Sequence, residues 1–173
     1  FIGIHFPETF GGQGYGVFEN ILVTEQFCRK DSGLGIALSF SDFASEFVLR
    51  FGNEAQKRQF LTPITKGKAI SSGPFPGSEN GWDLRDLGSV AKRDKDFYIL
   101  DGKRNFFVNG LEADWSVVPC QTESDAKQSH GGHSLLVVER GAEGLEILSS
   151  GEKMGIHMTS LAEVTFSNVR VPS

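Results

Sequence analysis

Apolar residues at Val17, Phe18, Ile21, Leu22 and Phe27 recur at helical spacing. They predict a helix entered through a flexible loop of Gly11, Gly12, Gly14 and Gly16 that follows Pro7. Asp31 and Ser32 read as a break and a new N-cap. A second helical stretch over 33–51 carries Leu34, Ile36, Leu38, Phe40, Phe43, Phe47, Val48 and Phe51, with Gly52 as its stop. Asn53, followed three residues later by Gln56, has the form of a capping box. The helix it opens carries Phe60, Leu61 and Ile64 and ends at Gly67.

After residue 68 the rhythm changes to short apolar runs between Gly, Asp and Ser turns, which predicts strands. Residues 96–100 and 103–108 flank Asp101-Gly102, a strong hairpin signal. Further strands are predicted over 116–120, 134–139, 145–148 and 161–166, and 121–132 reads as a polar surface loop. Helices first and strands afterwards give an α+β class or two modules, divided as 1–68 and 69–173.

Composition sharpens this only in places. Phenylalanine occurs 15 times against 2 Trp and 2 Tyr, so the rings suit core packing or a pocket for a large planar or greasy ligand. A net charge of −5 without a basic run disfavours nucleic acid, where affinity comes from neutralising phosphates. No window is apolar for the length of a membrane span, and no leader peptide is visible. A chain opening on Phe1 sets the expectation that its true start lies upstream. Cys28 and Cys120 sit in unrelated segments and read as reduced, buried, non-catalytic thiols. His5, His130, His133 and His157 are scattered without partners at zinc-ligand spacing, so no metal site is predicted. Gly11-Gly12-Gln13-Gly14 precedes a helix but follows no strand, and fails the context of a dinucleotide fingerprint. Residue types and spacing alone reveal no catalytic group.

Longer motifs add more. Pro7-Glu8-Thr9-Phe10-Gly11-Gly12-Gln13-Gly14 resembles the PEEYGGQG segment of acyl-CoA dehydrogenases. Phe51-Gly52-Asn53-Glu54-Ala55-Gln56-Lys57 resembles their FGSEEQK. Asp101-Gly102-Lys103-Arg104-Asn105-Phe106-Phe107-Val108-Asn109-Gly110 resembles NGxKxWITNG. Lys153-Met154-Gly155-Ile156 and the run from Val164 to Pro172 resemble the family's KMGIRGS and VxFxNVRVP. The blocks stand in family order and at family distances across nearly the whole chain.

The resemblance implies a subunit of N-terminal helices, a β-barrel-like middle domain and a C-terminal helical bundle. This chain would hold the end of the first part and all of the second, with the bundle absent. It implies FAD as cofactor and α,β-dehydrogenation of an acyl-CoA or other acyl thioester. The family's glutamate base usually lies in the bundle, so no catalytic residue is assigned here. It further implies an electron acceptor such as an electron-transfer flavoprotein, a homo-oligomer, and the cytoplasm or mitochondrial matrix.

Flavin contacts are implied for Gly73, Phe75, Pro76, Gly81 and Trp82 in the first loop of the middle domain, and for Phe106, Phe107 and Val108. Trp82 is also the implied substrate contact. Several positions depart from the family pattern. If Asp83 pairs with the family's TEPxAGSD aspartate, Pro76 stands for the threonine, Gly77 for the glutamate and Trp82 for the serine. Phe106 stands for a tryptophan and keeps a flat ring for stacking. Val108 stands for Thr or Ser and lacks a hydroxyl, whose hydrogen bond is worth about 0.5–1.5 kcal/mol. His157 and Leu161 stand for a common Arg and Thr. Either main-chain amides carry the flavin and these side chains drift, or the pocket is altered. The altered pocket leaves two alternatives: a flavin oxidase or hydroxylase of the same fold, or a flavin-free subunit that binds acyl thioesters or assembles with a paralogue.

Overall fold

The computed structural model describes residues 1–74, 87–122 and 132–173. Four helices come first: α1 (Val17–Lys30), α2 (Ser32–Ser39), α3 (Ser45–Phe51) and α4 (Glu54–Thr65). Seven strands follow: β1 (Ser71–Pro74), β2 (Ser89–Asp94), β3 (Phe97–Val108), β4 (Trp115–Gln121), β5 (His133–Glu139), β6 (Leu145–Ser149) and β7 (Leu161–Pro172).

The helix ends follow the local chemistry. The Asp31 carboxylate accepts from the Leu34 N–H at 2.9 Å and caps α2. Asn53 and Gln56 exchange two 2.9 Å bonds and form the capping box of α4. Gly67, at φ 64, terminates α4. The helix predicted over 33–51 is broken, however. Ser39 and Ser41 turn their hydroxyls back onto the carbonyls of Ile36 and Leu38, which competes with the helix ladder. Residues 40–44 form a connector instead, and Asp42 bridges to Ser71 in β1.

The strands form one mixed seven-stranded sheet, not a clean barrel. Its order is β1-β4-β2-β3-β7-β6, with β5 on β4 and an added β1–β3 pairing. β4 runs parallel to β1 and β2, and the other pairs are antiparallel. The predicted Asp101-Gly102 turn does not exist. β3 passes straight through it, and the β2–β3 turn is Lys95-Asp96, with Lys95 at φ 57. The Asp-Gly pair serves a bulge in β7 instead: the Asp101 carboxylate accepts from the Asn168 N–H at 2.8 Å, beside a register shift.

Two cores result. One lies within the sheet, around Leu100, Phe107, Val118, Cys120 and Phe166. The other joins helices to sheet, with Phe6, Phe10, Val48, Leu61 and Ile64 packed on Trp115 and Val117. Phe60 adds a ring 5.2 Å from Trp115. By contrast, α1 buries no residue, and Val17, Phe18, Ile21 and Leu22 leave an exposed apolar face on it. No helix among the described residues is long and apolar enough to cross a membrane.

Candidate functional site

Two segments that the sequence separates meet in the sheet. Gly73 pairs with Val108, and Pro74 pairs with Phe107. The start of the candidate loop therefore lies against the end of β3. Phe75, Pro76, Gly81 and Trp82, with Gly77 and Asp83, fall outside the described residues.

The end of β3 is irregular in a way that sorts its side chains. Between Arg104 and Phe107 the β3–β7 register shifts, with the extra residue in β3. Phe106 sits there at φ 60, a left-handed conformation that a bulky residue rarely adopts. Such strain costs on the order of 1–3 kcal/mol and collects at functional positions. The bulge turns Phe106 outward, 42% exposed, while Phe107 (0%) and Val108 (2%) face inward. Phe107 packs on Phe166, ring centroids 6.2 Å apart, inside the sheet core. Of the three neighbours, only Phe106 offers a ring face at the surface.

Gly73 is buried against its neighbours. A Cβ placed there would lie 3.6 Å from the Phe43 ring, from Ala44 and from the Val117 carbonyl, all ordinary contacts. The connector thus stands beside Gly73, with Phe43 stacked obliquely on Phe40 at 5.3 Å. Beyond the loop, Arg104 donates from Nη1 to the Leu87 carbonyl, and Gly88 at φ 61 accepts from the Lys103 N–H. Sequence reasoning missed the connector and gave Asn109 no role of its own, although Asn109 stands in the segment resembling NGxKxWITNG.

The connector also carries a titratable group with a shifted pKa. Asp42 is pushed up from 3.8 to about 6, chiefly by burial, opposed by His5 and a backbone hydrogen bond and aided by Glu46. His5 approaches Glu46 at 3.3 Å, and Glu46 also holds Arg50 at 2.7 Å. A raised carboxyl favours the protonated fold. Its stabilisation is present below the unfolded value and is lost as pH rises through the folded one. Asp42→Asn is therefore expected to stabilise the protein at pH 7.5 by about 1–3 kcal/mol, with the gain vanishing below about pH 4. Denaturant midpoints at the two pH values check this, and a destabilised variant at pH 7.5 would refute it.

Burial likewise drives the Cys120 thiol up to about 11, which leaves it inert near neutral pH. Cys28 is free and half-buried. Among the described residues, no three His, Cys, Asp or Glu side chains gather as a metal ion needs. A cleft of about 510 Å³ opens between α4, β5 and the end of β7, but none of the candidate residues line it. The candidate surface is an open face, so it needs further surface to enclose a ligand.

Residues 1–68 match the acyl-CoA dehydrogenase N-terminal domain, and residues 77–169 match the acyl-CoA dehydrogenase middle domain. The chain belongs to the acyl-CoA dehydrogenase family. It is 31% identical to the short-chain-specific acyl-CoA dehydrogenase of Megasphaera elsdenii, over 99% of this chain and 45% of that protein. Its fold matches the prolyl acyl carrier protein oxidase AnaB at a TM-score of 0.88 and 27% identity, over 99% of this chain and 46% of AnaB. It also matches a glutaryl-CoA dehydrogenase from Mycobacterium smegmatis in complex with FADH2, at a TM-score of 0.86 and 25% identity, over 99% and 42%. The chain thus spans less than half the length of these family members.

Proposed function

We propose that the protein containing this chain is an FAD-dependent dehydrogenase that oxidises an acyl thioester between its α and β carbons. The observation that carries the reading is the pairing of Gly73–Pro74 with Phe107–Val108, next to the outward-turned Phe106 ring. An exposed aromatic ring fits one face of a planar ring system. The bound FAD would supply the two-electron acceptor that no side chain provides. Phe106 stacks on the ring system. Phe107 and Val108 hold the main chain rigid behind Phe106 with buried side chains. Phe75, Pro76, Gly81 and Trp82, outside the described residues, are the further flavin contacts of this reading, with Trp82 also its substrate contact. Residues 1–68 and 69–173 form the end of the helical domain and the middle domain.

Acyl-CoA is the substrate class favoured by the family. An electron-transfer flavoprotein serves as acceptor, and the subunits form a homo-oligomer. The likeness to AnaB, together with a valine in place of a hydroxyl at Val108, favours a second reading: an oxidase of a carrier-bound thioester that passes electrons to oxygen.

The test is a visible spectrum of the purified full-length protein, then anaerobic addition of acyl-CoAs. Oxidised-flavin bands that bleach with an acyl-CoA are expected. Bands that bleach only with an acyl carrier protein, and recover in air, would favour the oxidase. A protein without flavin bands after FAD is added would overturn both.

A further inference from the structure

Asn109 joins more of the site than any side chain the sequence singles out. It is 6% exposed and adopts φ 58, a conformation asparagine tolerates better than most residues. Its Nδ2 donates to the Phe40 carbonyl at 2.5 Å and, at a longer 3.4 Å, to the Ser71 carbonyl. Its main-chain N–H donates to the Ser160 carbonyl at 3.0 Å. Its own carbonyl accepts from the N–H groups of Glu112 and Ala113. One residue thus links the 40–44 connector, β1, the turn into β4 and the entry to β7.

The connector has hydrogen bonds of its own. It lies between two short helices and is held to the sheet through Ser71. The Ser71 N–H donates to the Ser41 carbonyl, and the Ser71 hydroxyl accepts from the Ala44 N–H and meets that of Ser45. The Asn109 amide is the clamp that reaches it from the β3 side. It does so immediately after Phe106, Phe107 and Val108, so the connector and the candidate flavin face share one fixed point.

We propose that Asn109 is a positioning residue, clamping the Phe40–Ala44 connector against β1 and the end of β3 and thereby holding the Phe43 wall in place beside the flavin face. The proposal rests on the flavin reading above. Asn109→Gly permits the same φ and removes the donor. Asn109→Asp keeps the shape but turns a carboxylate oxygen toward two carbonyls, so it removes the donor without opening space.

Both variants are tested in the full-length protein by amide exchange and by FAD titration. Exchange across 40–44 is expected to speed up about tenfold in both, while α4 stays unchanged. The dissociation constant for FAD is expected to rise about tenfold, the size of one lost hydrogen bond. The fine structure of the bound flavin's visible bands should blur with it. Unchanged exchange at 40–44 overturns the clamp, as does acceleration spread equally over α4. Faster local exchange with FAD affinity within twofold of wild type overturns the positioning role. Should Asn109→Gly fail to fold, Asn109→Asp decides alone, and wild-type behaviour in it overturns the proposal. A wild-type protein that binds no FAD defeats the flavin reading and the positioning role with it; the exchange data then judge the clamp alone.

Discussion

Replacing Gly102 by alanine is expected to destabilise the full-length protein by about 3 kcal/mol or more, or to leave it insoluble. Gly102 lies inside β3 at φ 146, opposite Ser89 of β2 and Phe166 of β7. A Cβ there would stand 2.4 Å from the Gly88 carbonyl oxygen and 2.7 Å from the Ser89 Cα. Both are backbone atoms, so no side-chain rotation relieves the clash. Either β2 moves off β3 or the bulge in β7 reorganises. Both responses disturb Leu87 and Gly88, where the chain re-enters the sheet from the candidate loop. Gly141→Ala is the control, since an added methyl there meets nothing within 4 Å. It should stay within about 0.5 kcal/mol of wild type. Denaturant midpoints of the two variants decide it, and equal midpoints would mean that the strands do not approach this closely.

Gly102 also shows what sequence patterns carry and what they miss. Asp-Gly between two apolar runs is a sound local signal for a hairpin. The true turn at Lys95-Asp96 has no glycine or asparagine to announce it. The Asp-Gly pair is required by a contact with Asn168, 67 residues away, which no local rule detects. The break at 40–44 has the same origin. The apolar spacing continues across it, and the back-bonded hydroxyls of Ser39 and Ser41 are joined there by the remote pairing of Asp42 with Ser71. Where the determinants are local, as in the Asp31 cap and the Asn53–Gln56 box, the elements were legible to the residue. β4 to β7 were legible as elements for the same reason, but β1 and β2 were not, β3 was split in two, and the strand order was not legible.

The candidate site divides in the same way. Motif resemblance picked out the segments around Gly73 and Phe106, and strand pairing brings Gly73 and Pro74 beside Val108 and Phe107. It took in Asn109 only as part of a motif and did not find the connector. Their role appears only when β1, β3 and the helices are brought together, and an amide donating to two remote carbonyls leaves no spacing to read.

Phe107→Ala is expected to cost about 3–5 kcal/mol, whereas Phe106→Ala next to it should cost less than about 1 kcal/mol. The difference follows from the bulge. Phe107 is wholly buried in the sheet core, pairs with Pro74 on one side and Ala162 on the other, and packs on Phe166. Removing its ring leaves a cavity in the core that strands pinned on both edges cannot collapse to fill. Phe106 projects outward and packs no core, and alanine in its place keeps the left-handed strain without adding a void. The ligand readout should run the opposite way. Phe106→Ala should weaken FAD about fivefold or more in a protein that melts almost normally, the effect of losing a stacked ring worth about 1 kcal/mol or more. Phe107→Ala should lose FAD only as it loses structure. Denaturant melts and FAD titrations on both variants separate the cases. If Phe106→Ala destabilises as much as Phe107→Ala, the outward ring is a structural residue and the flavin face must be sought elsewhere. If it leaves FAD affinity unchanged, the strain at φ 60 serves something other than this cofactor.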